Sequence, residues 1–296
     1  IRDSTSTASL AAMGGIGVFA SAIRATLLKG EADIAVHSFK DLPTGRPLGL
    51  AIGAVPARAD PRDALVARDG LTLHDLPQEA SVGTGSPRRA AQLLAVRPDL
   101  TIVDIRGNVD TRLGRVKGLG HYAKGGGKED LDAVVLAASG LARLGHSGTV
   151  TEFLDPSVVL PAPAQGALAV ECRTADSRHG KLAKALARID DRRTRLAATA
   201  ERAVLSHLEA GCAAPIGALA QLKPVSGSSP QVLTLDVVVA TVDGSRIIRE
   251  QVSVELPAEV DSALAAAHTL GVTAAEELLD DGAADVADLK ASGSTR

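Results

Sequence analysis

Through the first two thirds of the chain, short apolar runs alternate with amphipathic stretches across glycine-bearing turns, and that alternation limits the fold to layered α/β architectures. An amphipathic stretch at 17–29 precedes an apolar run at 32–38, and a second run follows at 50–55. Residues 81–83 lead through a Gly/Ser/Pro turn into a helical stretch at 89–96. The same grammar recurs at 101–105, Arg106-Gly107-Asn108 and 109–116, and again at 132–137, Ser139-Gly140 and 141–144. Short runs at 158–160 and 167–171 flank a Pro/Gly-rich bend. Apolar runs of this length read as strands and 3.6-periodic stretches as helices, so the pattern predicts mostly parallel sheets covered by helices.

Near residue 190 the pattern changes. Residues 192–210 predict a helix with Leu196, Ala200, Ala203, Val204 and Leu208 on one face and Gly211 as its stop. Strands follow at 216–222, 232–241 and 246–256, the last two joined by an Asp243-Gly244 turn, and a helix at 261–279 closes the segment. Hairpin strands with flanking helices predict a small α+β domain. The stretch 117–130, with Gly125-Gly126-Gly127, predicts a mobile loop, and 291–296 a frayed tail.

Composition narrows the function classes. At 296 residues, 45% hydrophobic and 23% charged, the chain has the length for two or three domains and an ordinary core. A net charge of −3 advertises no nucleic-acid partner, and one Tyr, three Phe and no Trp leave nothing to build a base-stacking platform. No apolar run reaches bilayer length, the opening residues do not resemble a signal peptide, and two cysteines cannot make a disulfide framework. Seven histidines show no metal-ligand spacing, and Gly14-Gly15-Ile16-Gly17 misses both nucleotide-binding glycine patterns. These features predict a reduced, cytoplasmic protein without metal, nucleotide, nucleic acid or membrane. The chain opens on Ile1 with no element before Ser4-Thr5-Ser6-Thr7, so the natural amino-terminal segment is expected to be missing.

The chemistry concentrates between Ser86 and Arg115, where six arginines face three aspartates, a local excess of +3 in an acidic chain. Arg88 and Arg89 follow a Gly-Thr-Gly-Ser-Pro turn after a strand, Arg106 ends the next strand, and Arg112 opens the next helix. Ligands of open α/β sheets bind beyond the carboxyl ends of strands, and guanidinium forks pair with carboxylates or phosphates. Arg97 and Arg115 read instead as solvated helix-face residues paired with nearby aspartates. Lys40-Asp41 lies just past the strand ending at Ser38, where the carboxylate suits a cationic or N–H-bearing group and the lysine an anion; a helix cap or surface ion pair is the alternative. His37 reads as a packed strand residue and Cys172 as core. Cys212, on a turn after Gly211, can carry a covalent group, although a helix C-terminus disfavours the thiolate and a buried filler is the alternative.

In order along the chain stand Asp33-Ile34-Ala35-Val36-His37-Ser38-Phe39-Lys40-Asp41-Leu42-Pro43, Gly83-Thr84-Gly85-Ser86-Pro87-Arg88-Arg89 and Ile105-Arg106-Gly107-Asn108-Val109-Asp110-Thr111-Arg112-Leu113. Further on come Leu136-Ala137-Ala138-Ser139-Gly140-Leu141-Ala142-Arg143-Leu144, Pro163-Ala164-Gln165-Gly166-Ala167, Glu201-Arg202-Ala203 and Gly211-Cys212-Ala213-Ala214-Pro215-Ile216-Gly217. Each motif is moderately specific, but the ordered set, spanning nearly the whole chain, resembles the porphobilinogen deaminase (hydroxymethylbilane synthase) family. The resemblance implies an α/β fold of two periplasmic-binding-protein-like lobes plus a small α+β C-terminal domain. Domain 1 would comprise 1–58 with 161–187, the arginine-rich domain 2 would comprise 59–160, and domain 3, 190–296, would carry the cofactor cysteine. It implies a monomeric transferase that joins four porphobilinogen units head to tail, losing ammonia each time, on a dipyrromethane cofactor held by a thioether to Cys212.

Within that resemblance Asp41 is the catalytic carboxylate. Lys40, Ser38, Thr84, Ser86, Arg88, Arg89, Arg106 and Arg112 would hold the cofactor, and Arg143, Phe19 and Gln165 the substrate. Every pyrrole brings an acetate and a propionate, which explains the demand for arginines. The family also begins with an arginine-bearing strand that nothing before Ile1 supplies, so a chain of this extent alone would turn over weakly or not at all. The longer glycine-rich loop at 125–127 would alter a surface and not the chemistry. Two other readings use the same cleft: a small-polyanion binding module, and a truncated inactive relative.

Overall fold

The computed structural model describes residues 17–45, 47–209, 214–223, 231–287 and 289. The strands in chain order are β1 (Ile34–Ser38), β2 (Leu50–Ala54), β3 (Asp63–Ala67), β4 (Ser81–Gly83), β5 (Thr101–Val103) and β6 (Ala133–Ala137). They continue as β7 (Glu152–Phe153), β8 (Leu168–Arg173), β9 (Ile216–Leu222), β10 (Gln231–Ala240) and β11 (Ile247–Leu256). Helices are α1 (Gly17–Leu28), α2 (Pro87–Val96), α3 (Val109–Leu113), α4 (Ala138–Arg143), α5 (Thr174–Arg178), α6 (Gly180–Ile189), α7 (Arg192–His207) and α8 (Val260–Asp280).

These strands form three sheets, ordered β1-β8-β2, β5-β4-β6-β3-β7 and β11-β10-β9. Mostly parallel pairing was expected, and the structure corrects this: only β4 pairs parallel, with β5 and with β6, and every other pairing between the strands is antiparallel. The reason lies in the connections. β8 returns more than a hundred residues after β2 and inserts between β1 and β2, running opposite to both. β10 and β11 are joined by a short hairpin, a connection that can only make antiparallel neighbours. Its tip glycine, Gly244 (φ +71°), is needed twice over, because a Cβ there would collide with the backbone of Ala91 and Ala95 on α2.

In the five-stranded sheet, alternate residues of β3 and β6 face opposite sides. Leu65, Ala67, Ala133 and Val135 enter one core with Val82 and Leu93, while Ala64, Val66, Val134 and Leu136 enter the other with Ile105 and Leu113. β3, unrecognised in the sequence because its apolar run opens on an aspartate, is buried throughout. The strand expected at 158–160 does not form; Val159 and Leu160 are buried in a turn, and the Leu160 backbone serves side chains of α2. The stretch 117–130, expected to be mobile, is tied down. Lys117 N donates to Leu131 O at 3.0 Å, Gly127 N to Gly120 O at 2.9 Å, and Gly120 N to the Glu129 carboxylate at 2.7 Å.

Helix α7 begins at an Asp191 cap, whose side chain accepts from Thr194 N at 2.7 Å. One face packs against β9, β10 and α8 through Leu196, Ala197, Ala200 and Val204. Its opposite face carries Ala198 into the core around Phe39, Leu42 and Val55. Glu201, fully buried, accepts two hydrogen bonds from Arg58 at 2.6 and 3.0 Å and one from Ala220 N at 2.8 Å. One carboxylate thus clamps the segment before β3 and strand β9 to the same helix. Removing one member of a buried ion pair strands the other, so Glu201→Ala should cost about 3–5 kcal/mol of stability. A urea midpoint within error of wild type would contradict this clamp.

Candidate active site

Strand β1 ends at Ser38, and the following 3-10 turn, Phe39–Asp41, presents Lys40 and Asp41. Arg202 of α7 holds that turn. Its guanidinium donates to the carbonyls of Phe39 (3.0 Å), Leu42 (2.7 Å) and Pro43 (2.8 Å) and lies 4.5 Å from the centre of the Phe39 ring. The Lys40 ammonium reaches inward to Gln165 Oε1 at 3.1 Å and not out to a surface partner. Gln165, with no exposed surface, turns its amide nitrogen to Pro61 O and to Asp63 Oδ1, each at 2.8 Å.

Asp63 opens β3 and is the centre of the arrangement. It accepts from Arg88 at 2.8 Å and from Arg89 at 2.6 Å, and all three residues are buried. Burial alone would raise its carboxyl pKa, but the charges and hydrogen bonds of the two guanidinium groups prevail and hold it well below the usual carboxylate range. Arg88 completes its fork on Leu160 O at 2.6 Å and Arg89 reaches Val135 O at 3.0 Å, yet Arg89 Nε is buried without an acceptor. Both arginines sit in the first turn of α2, which starts with Pro87 after Ser86. The approach to that helix is tight: a Cβ on Gly85 would stand 2.6 Å from Ile105 O, so only glycine fits. Thr84 is buried and accepts from Ser86 N at 3.2 Å through its hydroxyl.

One carboxylate at Asp63 therefore faces two guanidinium groups and an ammonium. Burial, reinforced by the charge of Arg89 and opposed by Asp41 and Asp63, pushes the Lys40 amine down to about 8. Arg112 donates to Gly107 O at 2.8 Å, and burial together with the charges of Arg89 and Arg106 lowers its affinity for its proton. Arg106, exposed, pairs with Asp104 at 3.1 Å. Asp41 is open to water at its surface but enclosed on its other sides, and that enclosure raises its carboxyl pKa against the pull of Lys40. Lys40, Asp41, Asp63, Gln165, Arg88, Arg89, Arg112 and Arg106 thus form one electrostatically connected group.

Other expected residues fall as follows. Ser38 is half-buried at the end of β1, and Arg143 is exposed at the end of α4, with no hydrogen bond or ion pair among the described residues. Phe19 lies on α1, but its side chain is outside the described residues, as is all of Cys212. Arg97 pairs with Asp99 as expected, whereas Arg115 pairs with Asp130 across the loop; both are half-buried just past the ends of α2 and α3 and not on a solvated helix face. His37 is packed beside Glu171 at 3.3 Å and Cys172 is core. Asp63 was missed; its signal was an acid leading an otherwise apolar run in a chain segment rich in arginine. No metal-binding cluster occurs among the described residues.

The profile of the porphobilinogen deaminase dipyrromethane-cofactor-binding domain matches residues 2–181, and that of the porphobilinogen deaminase C-terminal domain matches residues 195–280. The chain belongs to the porphobilinogen deaminase family. It is 96% identical over 292 residues to the porphobilinogen deaminase of Cutibacterium acnes, covering 99% of this chain and 87% of that protein. The Micrococcus luteus enzyme is 52% identical over 310 residues (94% of this chain, 82% of the relative), and that of Leifsonia xyli 52% over 292 residues (97% and 83%). Membership makes the chain a transferase with a dipyrromethane-binding domain.

Two outcomes follow from the charge arrangement. Asp63→Asn removes the one counter-charge of two buried guanidinium groups and should cost about 3–5 kcal/mol in urea denaturation; an unchanged midpoint would contradict its central position. The Lys40 pKa of about 8 lies below its ordinary 10.5, so between these values the unfolded chain holds a proton that the folded chain has released. Stability should therefore rise with pH across that window, and the rise should be absent in Lys40→Met. Thermal melts of the two proteins from pH 7 to 10.5 that stay parallel would contradict it.

Proposed function

We propose that this chain joins four porphobilinogen units head to tail, with loss of ammonia at each, and releases hydroxymethylbilane by hydrolysis of its bond to the cofactor, a dipyrromethane bound through the Cys212 sulfur. The observation that carries the reading is the buried Arg89 Nε without an acceptor, set in a cleft with more cations than carboxylates, beside Asp41. Acidic side arms of a pyrrole supply the acceptor and the missing negative charge, so the residues fit the cofactor.

When bound, the cofactor would supply the free pyrrole α-carbon that takes the first substrate's methylene carbon, with each later unit joining the free α-carbon of the ring before it. The chain's own residues do the rest. Arg89, Arg106 and Arg112 with Lys40 hold acetate and propionate arms, and Arg88 completes the buried charge network behind them. Ser38, Thr84 and Ser86 add hydroxyl or backbone donors along the same wall, and the substrate contacts assigned by resemblance to Arg143, Phe19 and Gln165 belong to the same proposal. As ammonia leaves the substrate's aminomethyl carbon, positive charge develops there, and the Asp41 carboxylate stabilises it and accepts pyrrole N–H. In a partly dry cleft such a fixed carboxylate is worth several kcal/mol in the transition state, roughly 10²–10³ in rate.

The finer architecture belongs to the same proposal: two periplasmic-binding-protein-like lobes, 1–58 with 161–187 and 59–160, and a third domain at 190–296. The separate sheets built from residues 34–54 with 168–173, from 63–153 and from 216–256 support that division. The protein acts as a cytoplasmic monomer. No helix among the described residues is long and apolar enough to cross a membrane.

Intact-mass measurement of protein made in cells that synthesise pyrroles should reveal a dipyrromethane-sized adduct that Cys212→Ser lacks. Asp41→Ala should keep the adduct and the fold yet lose at least about a hundredfold in turnover. An unmodified Cys212 in a protein that binds small polyanions tightly would instead favour a binding module.

A further inference from the structure

Outside the catalytic cluster, a cavity of about 530 Å³ opens between α3 and the tied-down loop 117–130. Its wall carries Arg106, Arg115, Lys124 and Lys128 against one acid, Asp110. Asp110 is itself engaged by His146 at 2.8 Å. The acids behind the wall are also taken: Asp104 holds Arg106, and Asp130 holds Arg115. Lys124 and Lys128 form no ion pair among the described residues and are exposed at the rim.

The cavity is continuous in charge with the catalytic cluster. Arg106 belongs to both, its charge acts on Arg112, and Arg112 also lies in the field of Arg89. A graded series of cations thus runs from the solvent-exposed rim to the buried Asp63 group. Its volume is that of an ordinary small-molecule site, within the usual ~300–1,000 Å³. The loop that carries the two lysines is pinned by the Gly120–Glu129 and Gly127–Gly120 hydrogen bonds, so its backbone sets where they stand at the mouth.

We propose that this cavity is a collecting site for the incoming substrate, a pyrrole with two carboxylate arms, which it hands inward through Arg106. Lys124 and Lys128, which form no ion pair among the described residues, attract the dianion. Because a concave wall focuses field lines, the two lysines without an ion pair raise the local concentration of the anion before any catalytic contact forms. The inference rests on the function proposed above and adds an entry site to it.

The test is steady-state kinetics of the cofactor-loaded enzyme with porphobilinogen, at low and at physiological ionic strength. In K124Q/K128Q, kcat/KM should fall about three- to tenfold at low salt, with kcat changed less than twofold and adduct mass unchanged, and the deficit should shrink as salt screens the rim. The charge-matched control K181Q/K184Q, on α6, should stay within twofold of wild type. A K124Q/K128Q variant with wild-type KM, one that loses kcat at constant KM, or one no worse than the α6 control would overturn the entry site while leaving the function standing. Absence of wild-type turnover would overturn the function, and the entry site with it.

Discussion

Two guanidinium groups share one buried carboxylate at Asp63, and the geometry of the cleft follows from that imbalance. Asp63 is fixed by its place at the head of β3, inside a sheet buried on both faces, so it cannot move to relieve the charge. Arg88 and Arg89 are fixed by the first turn of α2, and Gln165 links the group to Lys40. Burying a charge is costly unless it is paired, and here pairing is incomplete by design of the sequence. Burial, reinforced by this uncompensated positive charge, pushes down the Lys40 and Arg112 pKa values, and Arg89 Nε is left without an acceptor. A protein that stored such a surplus without a ligand would lose stability for nothing; a ligand with several carboxylates turns the surplus into affinity.

Helix α7 and the third sheet reach this group from two sides. From one side, α7 brings Glu201 to Arg58 and Arg202 to the carbonyls of the turn that presents Asp41. From the other, Arg249 of β11 donates to Gln92 Oε1 at 3.1 Å, and Gln92 holds both the backbone of Arg88 and that of Leu160. Helix α7 and the sheet of β9, β10 and β11 are therefore joined to the elements that set the positions of Asp41 and of the arginine helix.

Much of this was legible in the residues. The motif around Ser38, Lys40 and Asp41 announced a strand end with a carboxylate beyond it. The Gly-Thr-Gly-Ser-Pro turn announced a helix opening on arginines, and Asp243-Gly244 announced the hairpin. What escaped was what depends on distant partners. Asp63 heads its strand as a charged residue, so the periodicity broke where the fold most needed it. Sheet direction escaped because β8 pairs with strands more than a hundred residues earlier, and nothing local encodes that insertion. The 117–130 loop reads as loose from its glycines, yet Glu129 and the backbone hydrogen bonds pin it.

The most direct test of the central claim is a crystal structure of the cofactor-loaded protein. The account predicts continuous density from the Cys212 sulfur into the cleft, a carboxylate arm within hydrogen-bond distance of Arg89 Nε, and pyrrole N–H groups directed at Asp41. Density that left Arg89 Nε without an acceptor, with the acidic arms on another face of the protein, would contradict it.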